Sequence, residues 1–409
     1  MSKRDADDIA RDIYYLTLIA TASFTGSNMV EPMLPLRIVE LGASSLDLGI
    51  IVGLASVAAF MSRLPAGMLF LRKRLRALIS VALVGEAVSY VMYGLSPSYQ
   101  WLCPFRLLWG ISGALFMVGT IATVSNLSAK ERIGWAMGTY LTSYGLATVL
   151  GPLFCSVLLY ALSCAQVLMS AAVLPVLALV LLNLRFGPGS VGDTYAGISS
   201  NRAQEVQAST NSMRGAFDSL VSIVRRRRVA VAGTLHFLFS VSITFLDTIF
   251  VVYAVTQLGI SPSVAALMLA ARGVANSLSR MPAGNLMDRV GSKTPFLGSF
   301  AVLTLCYLVI AYATDIPTLS VAMLLLGASW GVRVVLEWTA TQDEIPPESR
   351  PIASAFLPLV WDVAHATGAF AVGILAMLVP PAMVFVAASG LMIVAIAVVL
   401  LFLPDGDGR

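Results

Sequence analysis

Charge is what this chain has least of. Asp, Glu, Lys and Arg together make up 12% of its 409 residues, about half of what a soluble domain carries. A water-soluble fold of this length is thereby excluded. Histidine is rarer still: His236 and His365 are the two present, no HExxH pattern exists, and no metal site is expected. The four cysteines, Cys103, Cys155, Cys164 and Cys306, lie in or beside apolar stretches without CxxC spacing. They read as small packing residues and not as a disulfide or metal framework. A phosphate loop is missing too, because in Gly291-Ser292-Lys293-Thr294 a serine separates glycine from lysine. Nothing here supports an enzyme, and no cofactor is expected. Energy for any work has to come from an ion gradient, protons first.

What remains is apolar. Hydrophobic residues make up 58% of the chain and the mean hydropathy is +0.85, which makes this an integral membrane protein of the lipid bilayer. The net charge of +4 does not point to nucleic acid, because the basic residues sit between apolar stretches. Stretches able to cross about 30 Å of hydrocarbon, roughly 20 residues each, run near 13–38, 48–70, 77–96, 100–125, 134–160 and 165–184. Six more run near 229–257, 263–286, 294–313, 318–341, 352–378 and 381–403. The first twelve residues mix acids and bases, and the apolar run after them is too long for a signal-peptide core, so it is expected to stay as span 1. The expected division is 1–184 and 229–409 as two six-helix bundles, with 185–228, ending in Arg225, Arg226, Arg227 and Arg228, as the linker.

Loop Lys and Arg fall at the N-terminus, 71–76, 127–133, the linker, 287–293, Arg350 and the C-terminus. The alternate loops near 39–47, 97–99, 161–164, 258–262, 314–317 and 379–380 hold none. The positive-inside rule then places both termini and the linker in the cytoplasm, in a multi-pass protein of the cell membrane.

The two halves read as copies. Ser62 to Arg72, SRLPAGMLFLR, returns as SRMPAGNLMDR at Ser279 to Arg289, 217 residues later. The same offset carries Leu41, Gly42 and Ser44 onto Leu258, Gly259 and Ser261, Gly110 and Ser112 onto Gly327 and Ser329, Glu131 onto Glu348, and Gly151 onto Gly368. Agreement at one constant offset over so many positions marks an internal duplication.

Three motifs carry a family resemblance. Gly284, Leu286, Asp288, Arg289, Gly291 and Lys293 match a G-x-L-x-D-R-x-G-[RK]-[RK] pattern after span 8, while its first-half copy keeps Gly67, Leu69 and Arg72 but has Leu71 for the acid and Arg74 for the second glycine. Arg106-x-x-x-Gly110 lies in span 4, and Ala147-x-x-x-Gly151-Pro152-x-x-Cys155-Ser156 in span 5. In these the chain resembles the major facilitator superfamily of secondary transporters, most closely its 12-span drug/proton antiporter group. The resemblance implies an all-α membrane fold of 12 transmembrane helices in two pseudo-symmetric six-helix bundles, a gating role for the Asp288 loop, and an antiporter-like motif at Gly151 and Pro152. The resemblance also implies that spans 1, 4, 7 and 10 line a central cavity. Independently of it, small residues let helices approach closely and Pro152 permits a bend, so helix 5 is expected to pack tightly and flex where it meets the other half.

Ionisable residues inside spans are costly, so each is expected to face a partner or a substrate path. Glu31 and Arg106 sit at similar depth in spans 1 and 4, and Asp247 in span 7 lies one position from the counterpart of Glu31. These three are the expected proton-coupling residues: a proton and a cationic substrate competing for one carboxylate yield antiport from a single site. A structural Glu31–Arg106 salt bridge is the plainer alternative. Asp362 and His365, three apart on span 11, form a candidate proton relay or an ordinary helix contact. Arg333 and Glu337 are expected to pair at i,i+4, Glu86 and Arg272 to be cavity groups or interhelical partners, and His236 to be a satisfied packing residue. Met29, Met33, Tyr144, Phe245, Phe250, Tyr253, Trp330 and Trp361 are the candidate pocket for an apolar or cationic organic molecule, though such residues also serve plain helix packing. The leading expectation is a monomeric, proton-coupled exporter of small organic solutes, with no nucleic-acid partner. A symporter or uniporter importing an anionic metabolite on Arg106, and a non-transporting receptor, stay open.

Overall fold

The computed structural model describes residues 3–72, 75–128, 133–186, 224–343 and 356–403. Among these the chain is helical without a strand. In the first half α1 (Lys3–Val30) and α2 (Leu34–Glu40) make span 1. They are followed by α3 (Ser45–Arg72), α4 (Leu75–Leu95), α5 (Leu102–Leu127) and α6 (Ile133–Leu158), and by α7 (Cys164–Ser170) with α8 (Val173–Arg185) as span 6. Spans 7 to 12 are α9 (Arg227–Thr256), α10 (Pro262–Val290), α11 (Lys293–Tyr312), α12 (Ile316–Asp343), α13 (Phe356–Leu378) and α14 (Pro381–Phe402). Among the described residues ten spans are long and apolar enough to cross a membrane by length and composition. The other two, α1 and α10, carry the most polar faces: Thr17, Thr21, Ser23, Ser27 and Asn28 in one, Arg272, Asn276 and Arg280 in the other. Most of the 185–228 segment, residues 187–223, lies outside the described residues, and α9 begins within the arginine run at Arg227.

The chain divides into two compact units, residues 1–37 with 54–211 and residues 38–53 with 212–409. The core of the first is built by Ile13, Leu16 and Ile19 of α1, Leu83 of α4, Phe116 of α5, Tyr140 of α6 and Leu182 of α8. In the second, α9 is apolar on every side and buried along most of its length, as such a helix has to be. Phe300 and Tyr307 of α11 and Phe385 and Met392 of α14 are buried with it. Within this unit Gly49 lies so close to α13 that an added Cβ would stand 2.4 Å from the Ala369 carbonyl and 2.7 Å from the Gly373 Cα.

The duplication is visible as repeated contacts. Gly42 and Gly259 both take a left-handed turn, with φ of 80° and 66°, which an L side chain resists. Two residues on, Ser44 and Ser261 cap the helices that follow: Asp47 N–H donates to Ser44 Oγ at 3.2 Å and Val264 N–H to Ser261 Oγ at 3.3 Å. A Cβ on Gly110 would meet the Ala55 carbonyl oxygen at 2.2 Å, and one on Gly327 the Arg272 carbonyl oxygen at 2.1 Å. Ala55 and Arg272 are themselves 217 apart. Span 4 thus docks on span 2 as span 10 docks on span 8, backbone against backbone.

Candidate functional site

Span 1 does not run through Glu31. Glu31, Pro32 and Met33 form a turn between α1 and α2. The Glu31 N–H still reaches the Ser27 carbonyl at 2.9 Å, but Pro32 and Pro35 have no N–H to give, so the Asn28 and Glu31 carbonyls lose their helical donors. The acid therefore sits at a break in the helix. Its carboxyl is 40% exposed and stands 3.9 Å from Nη1 of Arg106, a side chain only 4% exposed. Arg106 in turn lies 4.9 Å over the Trp109 ring and hydrogen-bonds Tyr93, whose hydroxyl donates to the Phe105 carbonyl at 3.2 Å. The arginine is held from behind and the carboxylate is presented.

Gly151 sits against this break from the same half. Its Cβ position is 2.6 Å from Asn28 Cβ and 2.8 Å from the Met29 nitrogen, and Ala147 and Cys155, one turn to either side, are fully buried. The close-packing face of span 5 at Gly151 thus serves span 1 just before Glu31, within the same unit. Gly368 makes the corresponding contact in the second half, 2.9 Å from Thr244 Cβ. Gly151 and Gly368 are 217 apart, but Asn28 and Thr244 are 216 apart. The register of spans 1 and 7 has slipped by one residue, which brings Asp247 into direct equivalence with Glu31.

Asp247 also meets an arginine, though from a different helix. Arg272 Nη1 of α10 lies 2.6 Å from Asp247 Oδ1, with the two side chains 13% and 27% exposed, and the guanidinium is 5.4 Å over the Trp330 ring. Each half therefore presents one partly exposed carboxylate at the same place on its first span, backed by an arginine that stands on an indole.

A second polar cluster lies deeper in the second unit. Arg333 and Glu337 of α12 pair at i,i+4 as their spacing suggests, both completely buried. His236 is buried and satisfied by this pair: its Nδ1 is 2.7 Å from Glu337 Oε2 and 3.4 Å from Arg333 Nη1. Phe239 lies 3.6 Å under the guanidinium, and Trp361 stacks between Trp330, at 6.2 Å, and His365, at 4.2 Å. The reason the sequence hid the partner of His236 is distance in the chain: Glu337 comes 101 residues later.

The remaining candidates scatter. Met29, Met33, Phe245, Phe250 and Tyr253 are buried, Tyr253 edge-on to Phe385 at 5.3 Å, and Tyr144 packs on Phe24 at 5.8 Å. Trp330 and Trp361 are brought together, as above. Asp362 is buried on α13. Of the loop motif, Gly291 has a φ of 72° that requires glycine, whereas Gly67 and Gly284 have open space around them. Lys293 opens α11. The side chains of Arg72, Leu286, Asp288 and Arg289 lie outside the described residues.

Two duplicated helical halves with paired intramembrane charges can be compared with known proteins. The family model described as Major Facilitator Superfamily matches residues 16–245 and 232–409. The chain belongs to the major facilitator superfamily. Among relatives in this superfamily, the chain is 24% identical over 318 residues to a multi-drug resistance efflux pump, the PmrA homolog of Lactococcus lactis subsp. lactis (strain IL1403), covering 75% of this chain and 74% of that one. It is 23% identical over 350 residues to multidrug resistance protein MdtG of Proteus mirabilis (strain HI4320), covering 84% and 83%. The crystal structure of a bacterial homolog to the human lysosomal transporter Spinster superposes with a TM-score of 0.78 at 13% identity, over 99% of this chain and 98% of that one. That likeness is one of fold; the family match is what makes this all-α, multi-pass membrane protein a transporter of the superfamily.

Proposed function

We propose that this transporter is a proton-coupled antiporter that exports small amphipathic, preferentially cationic, organic compounds. The observation that carries the reading is the equivalence of Glu31 and Asp247, each a reachable carboxylate backed by an arginine, Arg106 buried and Arg272 partly so. A cation entering beside Glu31 competes with Arg106 and with a proton for the same oxygens, so loading one expels the other. Glu31, at 3.9 Å from its arginine, is the more loosely held; Asp247, at 2.6 Å, has to break a direct ion pair to exchange. The relatives named as a multi-drug resistance efflux pump and a multidrug resistance protein support export and a tolerant substrate range. Trp109 and Trp330, already under guanidinium groups, are surfaces on which an organic cation can replace arginine. In this reading the chain works as a monomer in the cell membrane with both termini cytoplasmic, and the proton gradient, without a cofactor, drives it.

The test is a proteoliposome with an acidic interior, its internal pH followed as lipophilic cations and neutral drugs are added outside. Proton efflux on addition of one class is expected, and Glu31→Gln should abolish it while the protein stays folded and inserted. Normal pH-driven transport by that variant would remove Glu31 from the mechanism.

A further inference from the structure

One buried acid has no part in the cycle above. Glu86 lies on α4, 2% exposed. Its Oε2 accepts a hydrogen bond from Ser23 of α1 at 2.7 Å, and among the described residues no ion pair joins it. One turn along both helices the hydroxyls of Ser27 and Tyr90 meet at 2.9 Å, and Trp109 Nε1 donates to Tyr90 at 3.1 Å. One turn further along span 1 comes Glu31. Ser23, Ser27 and Glu31 thus recur every fourth residue on one side of span 1, with Glu86 and Tyr90 facing the first two from span 3. The rungs are about 6 Å apart, a gap that one bridging water spans.

The other half of the chain supplies a control. Tyr90 falls on Tyr307, which meets Ser242 of α9 at 3.1 Å, so the hydroxyl tie between first and third spans exists in both units. Glu86 falls on Leu303, fully buried. Packing at this position is therefore satisfied by leucine, and the acid is an addition. A carboxylate there would stand without a countercharge, which costs several kcal/mol; a carboxylic acid avoids that cost. A group that carries such a cost inside a membrane span, with no packing need for it, points to ion or proton handling.

We propose that Glu86 is a second proton-binding site of this chain, placed in series with Glu31 along the Ser23, Ser27 and Tyr90 face. The other titratable groups that face it are Tyr90 on its own helix and Tyr140 from α6, whose hydroxyl is held by Thr120 at 2.6 Å. Arg106 and Glu31 lie beyond, at Tyr93. In the transfer, Glu31 releases one proton, each intervening hydroxyl takes one and gives one, and a Glu86 oxygen receives one. The use of this proton in transport rests on the antiport reading; its binding does not, and can be measured alone.

The experiment is infrared difference spectroscopy of the full-length protein in lipid, titrated from about pH 5 to about pH 9, reading the carbonyl stretch of a protonated carboxyl. A band that titrates in the wild type and in Glu31→Gln, and is absent in Glu86→Gln, is the expected result. Ser23→Ala, which keeps the acid and removes its donor, should move the midpoint of that band. A Glu86 band that stays constant over the whole range, or survival in Glu86→Gln of the band shared by the wild type and Glu31→Gln, overturns the proposal. Loss of pH-driven transport in the wild type would instead refute antiport and leave the infrared result standing.

Discussion

Gly327→Ala tests the duplication at its tightest contact. A methyl group there would sit 2.1 Å from the Arg272 carbonyl oxygen and 2.9 Å from the carbonyl carbon, both backbone atoms that no side-chain rotation can clear. Restoring an ordinary separation requires α10 and α12 to part by about 1 Å, which loosens packing along the whole crossing, and overpacking of this kind costs about 1–3 kcal/mol. The helix itself gains about 1 kcal/mol from Gly→Ala, so the net loss should lie toward the lower end. Gly298→Ala is the control, since that position has open space and should be neutral or stabilised. Thermal unfolding in detergent, followed by tryptophan fluorescence, should show a lowered midpoint for Gly327→Ala and for Gly110→Ala, whose methyl would meet Ala55 at 2.2 Å. If Gly327→Ala unfolds at the same temperature as Gly298→Ala, the close approach of spans 8 and 10 is wrong. If only one of the two tight glycines matters, the contacts of the two halves are not equivalent.

Glu337→Gln should destabilise strongly, by about 3–5 kcal/mol, because it leaves the fully buried Arg333 without its carboxylate; Arg333→Met combined with Glu337→Met should recover much of that loss in the same unfolding assay, and a double variant no better than the single would refute the pairing. Asp315→Ala should lower the unfolding midpoint near neutral pH, since Asp315 accepts the Thr318 N–H at 2.8 Å at the start of α12. Hydrogen bonds from Thr318 hold the Asp315 carboxyl below the usual range, so its contribution is present above the free-aspartate pKa and is lost as pH falls through the lowered one. The variant and wild-type midpoints should converge in acid, and a constant gap at every pH would refute the cap.

The membrane class, the twelve spans and the two-fold repeat could be read from composition, apolar run length and a constant offset, because each is a property of the linear chain. So could the i,i+4 pair of Arg333 and Glu337, where the helix alone sets the distance. The Glu31–Arg106 pair was legible as equal depth in two spans. What required tertiary structure is the choice of partner across helices: Asp247 with Arg272, His236 with Glu337, Ser23 with Glu86. Depth narrows such choices, but the rotation of each helix about its axis, set by where glycine lets backbones touch, makes them. The one-residue slip between spans 1 and 7 shows the same limit. A single offset put Asp247 beside the counterpart of Glu31; only the contacts of Gly151 and Gly368 with those spans put it in register.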